Sequence, residues 1–191
     1  MNKLFRNYRI TVFGGSQPKP NEAAYLEALL LGKLLGELGF SVLTGGYIGT
    51  MEAVSRGAAE AGAHVIGITC EQIEAWRQVG KNPWVIEENR YPTLRERLFA
   101  LIDGCDAVVG LPGGVGTLAE IMLTWNELII QAIPSKPLIV VGTGWQSVFN
   151  VFNQELGQYT PVPGRNLLTC VPDIESAVQL LQNYFTKDKK S

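Results

Sequence analysis

Apolar runs of strand length alternate with helix-length segments along the whole 191-residue chain, and that rhythm leaves few folds open. Arg9 to Gly14 reads as a first strand and ends in the turn Gly14-Gly15-Ser16. Asn21 to Leu38 reads as a helix, with Tyr25, Leu26, Leu29, Leu30, Leu34 and Leu38 at helical spacing and Gly39 as its stop. A strand over Phe40 to Thr44, a helix over Thr50 to Ala61 stopped by Gly62, and a strand over Ala63 to Thr69 follow. Thr93 to Gly104 reads as a helix opened by the capping-box pattern Thr93-Leu94-Arg95-Glu96. Next come a strand over Ala107 to Leu111, a helix through Ile121 to Ile130, and a strand over Pro137 to Gly142. A helix over Trp145 to Leu156, a strand over Leu167 to Val171 and a helix over Asp173 to Phe185 complete the series. Cys70 to Tyr91 breaks the pattern and reads as a lid or specificity segment. About six apolar strands separated by helices predict a Rossmann-like α/β fold. Its doubly wound, mostly parallel sheet would carry helices on both faces. Residues 1–186 would form one domain, large enough to bury roughly 70% of its unfolded surface, and residues 187–191 a flexible tail.

In such sheets ligands lie outside the carboxyl ends of the strands, where the strand order reverses. Three glycine turns fall at carboxyl ends of predicted strands: Gly14-Gly15-Ser16, Gly45-Gly46-Tyr47-Ile48-Gly49, and the turn within Leu111 to Glu120. The last, LPGGVGTLAE, is the most informative. A strand, a glycine turn and a helix start aim backbone N–H groups at one point, and the helix dipole favours negative charge there. The backbone from Gly113 through Gly114, Val115 and Gly116 to Thr117 is the expected anion cradle. Thr117 adds a hydroxyl, and Glu120 places a carboxylate three residues later on the same helical face. The pattern is not Walker A, which needs a lysine before Thr117, nor the dinucleotide fingerprint GxGxxG. A phosphate cradle beside an acid points to chemistry on a phosphorylated sugar or nucleotide.

Composition narrows the classes. A formal net charge of −2 and the absence of a basic stripe give no electrostatic case for nucleic acid. The single histidine, His64, precludes a multi-histidine metal site and reads as a strand-start residue. Cys70, Cys105 and Cys170 are odd in number and far apart, so they read as reduced residues of a cytoplasmic protein. The opening MNKLFRNYRITVFGG lacks a signal peptide's uninterrupted apolar core. No apolar run approaches the ~20 residues of a membrane helix.

Arg97 is a second candidate. Leu94, Leu98, Leu101 and Cys105 form an apolar stripe on its helix, and Arg97 falls on the edge of that stripe. Such an arginine either lays its stem on the core with its head in water or pairs its guanidinium with a carboxylate or phosphate. Glu120 alone could merely complement the helix dipole, but beside an anion cradle and an arginine it becomes a catalytic candidate. Gly45, Gly46 and Gly49 serve either tight packing or ligand contact. Trp125, Tyr47 and Trp84 read as core or interface, and Glu71, Glu74, Glu87 and Glu88 as solvated.

These residues resemble the LOG family of cytokinin riboside monophosphate phosphoribohydrolases. The family signature PGGxGTxxE stands in full from Pro112 to Glu120. Its HERK segment aligns with Arg95-Glu96-Arg97-Leu98, so that its arginine is Arg97, and Asp106 is also in register. Its first turn resembles Phe13-Gly14-Gly15-Ser16, and its TGGG segment resembles Thr44-Gly45-Gly46-Tyr47. The similarity runs from Ile10 to about Gly142. The chain departs from the pattern where Arg95 replaces the family histidine and Leu98 the family lysine, and in the 70–91 segment. A family threonine falls nearest Thr124 or Asn126.

The resemblance implies a homodimer with no metal and no organic cofactor. It implies hydrolysis of the N-glycosidic bond of a nucleoside 5'-monophosphate, AMP or a cytokinin ribotide, to free base and ribose 5-phosphate. The Gly113–Thr117 loop, with Gly45, Gly46 and Ser16, would hold the phosphate and sugar. Glu120 would stabilise the oxocarbenium character developing at C1' or orient ribose hydroxyls and water, and Arg97 would hold Glu120 ionised. The alternative is a non-catalytic nucleotide or molybdenum cofactor carrier of the same fold, which the loss of the family lysine accommodates.

Overall fold

The computed structural model describes residues 4–5 and 8–188. β1 (Arg9–Phe13), β2 (Ser41–Thr44), β3 (Val65–Cys70), β4 (Glu87–Tyr91), β5 (Ala107–Gly110), β6 (Leu138–Val141) and β7 (Leu168–Val171) build one sheet. The strand order is β4-β3-β2-β1-β5-β6-β7 and every pairing is parallel. The doubly wound α/β reading therefore holds, with seven strands instead of about six. The helices are α1 (Ala23–Leu38), α2 (Thr50–Glu60), α3 (Glu71–Arg77), α4 (Leu94–Asp103), α5 (Val115–Ile129), α6 (Thr143–Leu156), α7 (Val162–Arg165) and α8 (Ile174–Asp188).

Side chains alternate across the sheet with the two-residue strand period. Ile10, Val12, Val42 and Val109 join residues of α1, α2 and α8 in one core. Phe13, Leu43, Val108 and Val140 join residues of α4, α5 and α6 in the other. Burial on both faces explains the near-continuous apolar strands, and each fully buried aliphatic or aromatic side chain contributes about 1.5–3 kcal/mol.

Four expectations are corrected. The strand not anticipated, β4, reads EENRY and carries exposed and half-buried residues only. It lies at the sheet edge, where a charged strand blunts open pairing, so it shows no apolar run. Before it, α3 occupies part of the supposedly irregular 70–91 segment. The helix α1 buries Tyr25, Ala28, Leu31, Gly32, Leu35 and Gly36, leaving Leu26 and Leu30 exposed. The cause is close packing: a Cβ on Gly32 would collide with the Val54 carbonyl of α2, so the small-residue face is the one that docks. The helix α5 begins at Val115, inside the glycine motif. The last helix, α8, runs through Asp188, and residues 189–191 of the expected tail lie outside the described residues.

Candidate active site

The order reverses between β1 and β5, neighbours in the sheet from which the chain winds outward in opposite directions. The three glycine turns meet there. Gly15 N–H donates to the Pro112 carbonyl at 3.3 Å, while Thr50 N–H and Oγ1 donate to the Gly15 carbonyl at 2.9 and 3.0 Å. A Cβ on Gly113 would fall 3.0 Å from the Gly15 nitrogen and 2.7 Å from the Thr117 Cβ, so only glycine allows this approach. Beneath the turns lies a cavity of about 500 Å³, bordered by Ser16, Tyr47, Arg97, Thr117, Glu120 and the 114–116 backbone. That size suits a small-molecule ligand.

The N-terminus of α5 opens on this cavity. Gly114 is its N-cap with no side-chain cap, and no acid stands in its first turn. Its first N–H groups and the positive end of its dipole therefore favour an anion. Val115 is 85% exposed, whereas Thr117 is buried, and both border the cavity.

Arg97 is buried, although it was expected only at the edge of the apolar stripe. The residues of α4 that accompany it inward are Leu101 and Ile102, while Leu94 is exposed and Leu98 half-buried on the cavity wall. Its guanidinium meets three partners. Nε donates to the Ile68 carbonyl at 2.7 Å, Nη1 stands 3.6 Å from Glu120 Oε1, and Cζ lies 5.7 Å from the Tyr47 ring centroid. The space for it comes from Gly45, where a Cβ would collide with Nη2. α4 itself is fixed by the expected capping box: Glu96 N–H donates to Thr93 Oγ1 at 3.2 Å and Thr93 N–H to Glu96 Oε2 at 3.0 Å.

Glu120 does not behave as expected. Burial disfavours its charged form more than the Arg97 cation favours it, and its pKa is pushed up to about 7. Arg97 thus pulls the carboxylate back toward ionisation without completing it.

Several contributors carried no warning in the sequence. Asn82, a buried amide, donates Nδ2 to the Gly46 and Tyr47 carbonyls, both at 3.0 Å, and accepts from Trp84 N–H at 3.1 Å. It clamps the connection before β4 to the second glycine turn. Gly46, with φ +77, closes that turn and does not border the cavity, nor does Gly45. Tyr47 is buried with its hydroxyl donating to the Cys70 carbonyl at 3.0 Å and accepting from Cys70 N–H at 2.7 Å. Glu74, read as solvated, accepts from Arg90 Nη2 at 2.6 Å and lies 3.4 Å from the Tyr47 hydroxyl. Only a signal linking distant residues would have found these, because each acts across the fold.

The cavity lining also includes apolar side chains: Met51 of α2, Ile73 and Trp76 of α3, and Leu94 and Leu98 of α4. Other candidates take structural places. Thr124 is buried and its Oγ1 donates to the Glu120 carbonyl at 2.7 Å, whereas Asn126 is exposed. Asp106 accepts from Arg9 N–H at 2.7 Å, at the opposite end of β1. His64 pairs with Glu87 at 2.8 Å, and the three cysteines are free. Among the described residues no group of three or more His, Cys, Asp or Glu could hold a metal, and no helix is long and apolar enough to cross a membrane.

The SLOG cluster4 family model matches residues 7–158. The chain belongs to this LOG-type family. A cytokinin riboside 5'-monophosphate phosphoribohydrolase of Arabidopsis thaliana is 30% identical over 188 residues, 95% of this chain and 86% of the relative. A probable enzyme of the same description from Oryza sativa subsp. japonica is 31% identical over 179 residues, 92% of this chain and 78% of the relative. Among solved structures, the molybdenum cofactor binding protein of Rippkaea orientalis superposes with a TM-score of 0.74 at 24% identity, covering 95% of this chain and 99% of that one. That likeness shows the fold. This chain carries the PGGxGTxxE residues from Pro112 to Glu120 and the Arg97–Glu120 contact, with Leu98 on the cavity wall.

Proposed function

We propose that this protein hydrolyses the N-glycosidic bond of a nucleoside 5'-monophosphate, AMP or a cytokinin ribotide, to free base and ribose 5-phosphate. The observation that carries the reading is the buried Arg97–Glu120 contact at 3.6 Å, in the same cavity as the uncapped start of α5. In this reading the α5 N–H groups, the Thr117 hydroxyl and Ser16 hold the 5'-phosphate and so fix the sugar. The bond from C1' to the base nitrogen breaks, its electron pair leaves with the base, and C1' gains oxocarbenium character. Ionised Glu120 stabilises that charge electrostatically. Water then adds to C1', and its proton balances the departing base. The raised pKa of Glu120 suits it to accept that proton near neutral pH. Gly45 supports the site indirectly, by making room for Arg97. A homodimer is the assembly the family resemblance supports, and sedimentation would test it.

The test is to incubate the purified protein with AMP and with isopentenyladenosine monophosphate, and to assay base and ribose 5-phosphate. Release of both products supports the hydrolase. Leu98 in place of the family lysine favours a second reading, a carrier or sensor. Saturable binding of nucleotide or pterin without any release would assign that one.

A further inference from the structure

Trp76 is 75% exposed, on a helix of which no residue is buried. It adds nothing to either core, so packing does not account for a large indole there. Yet α3 is held in place. Arg90 reaches Glu71 at 3.5 Å and Glu74 at 2.6 Å, and Leu94 N–H donates to Gln72 Oε1 at 2.8 Å. The Tyr47 hydroxyl lies 3.4 Å from Glu74. These ties anchor α3 to β4, to the start of α4 and to the turn beneath Arg97. They leave Ile73 and Trp76, one helical turn apart, bordering the cavity. The Arg77 guanidinium lies 4.7 Å from the Trp76 ring centroid, a cation–π contact that restrains the indole.

The cavity lining thus combines polar and apolar groups: the α5 N-terminus, Ser16, Gln17, Arg97 and Glu120 with the side chains of Met51, Ile73, Leu94, Leu98 and Trp76. A ligand matching this lining has an anionic group for the α5 N-terminus and a flat, weakly polar ring system for the apolar side chains.

We propose that Trp76 is the stacking platform for the base, and that the wall of Met51, Ile73, Leu94 and Leu98 is a base lobe selecting neutral purine rings by area. This rests on the reading of the site as a nucleoside 5'-monophosphate site. Stacking on one aromatic face weakens binding by roughly 10- to 100-fold when removed.

The probe is 9-deazaadenosine 5'-monophosphate, whose C-glycosidic bond resists hydrolysis, titrated calorimetrically alongside ribose 5-phosphate. Trp76→Ala is expected to bind the analogue roughly 10- to 100-fold more weakly. Trp76→Phe should restore most of that affinity, and ribose 5-phosphate should bind all three proteins equally. Unchanged analogue affinity in Trp76→Ala overturns the proposal alone. So does equal weakening of both ligands, with or without a change in sedimentation, because that marks a structural or interface role. An analogue that binds the unaltered protein no tighter than ribose 5-phosphate also removes the base lobe. If neither ligand binds the unaltered protein, the nucleotide reading falls and the proposal with it.

Discussion

At neutral pH the protonated and ionised forms of Glu120 coexist, because burial lifts its pKa to about 7 against the pull of Arg97. If the carboxylate is the form that stabilises positive charge at C1', kcat/KM must rise with pH through about 7 and level off above it. A profile that stays flat from acid to neutral pH, or falls, would remove Glu120 from that role. Glu120→Gln should lower kcat by about 100- to 1000-fold, the scale of losing one preorganised electrostatic group, while circular dichroism remains unchanged. Gly45→Ala approaches the same pair from the other side. Its Cβ meets Arg97 Nη2 and lies 2.5 Å from Met51 Sδ, in a buried region with no slack. The guanidinium must shift away from Glu120, with an expected stability loss of about 1–3 kcal/mol and an activity loss larger than that destabilisation explains. Full activity in Gly45→Ala would separate Gly45 from catalysis. Arg97 and Glu120 were legible in the sequence because an arginine beside an apolar stripe needs a partner and a carboxylate follows the cradle. The role of Gly45 was not, since it depends on where a residue from a different element comes to lie.

Among the elements, the strands announced themselves by apolar runs, with β4 as the exception. Every strand with two neighbours reads as an apolar run, whereas β4, paired only with β3, reads EENRY and shows no pattern. The α4 start was legible because a capping box is local, closed within Thr93 to Glu96. The docking face of α1 was not, because its leucines run all round and the choice falls to Gly32 and Gly36 against α2. The connection from α3 to β4 depends on Asn82, whose amide holds two carbonyls of the second glycine turn. Asn82→Ala leaves the Tyr47 carbonyl without this donor and the Trp84 N–H without its acceptor. The expected cost is about 1–3 kcal/mol in denaturant unfolding, with faster hydrogen exchange confined to that connection. A midpoint unmoved by the substitution would show that water replaces the amide.

At the scale of the whole molecule, the site is where three separate crossings of one sheet come together, and its contacts span residues far apart in sequence. Gly15 meets Pro112 and Thr50, and Arg97 of α4 meets Glu120 of α5 and Ile68 of β3. No fragment of the chain carries this constellation, so ligand binding must be linked to global folding and not to a local loop. A nucleoside monophosphate at a hundred times its Kd, binding only the native state, stabilises it by about 2.7 kcal/mol. For a chain of this size that raises Tm by roughly 5–10 °C. Gly113→Ala should erase the rise, because its Cβ falls 3.0 Å from the Gly15 nitrogen and forces the first and third turns apart. Gly144→Ala, where an added Cβ meets nothing within 4 Å, should keep it. Thermal unfolding of the three proteins with and without AMP decides the matter. A Tm rise that survives in Gly113→Ala would mean that the ligand binds without the convergence of the turns, and the site as described would be wrong.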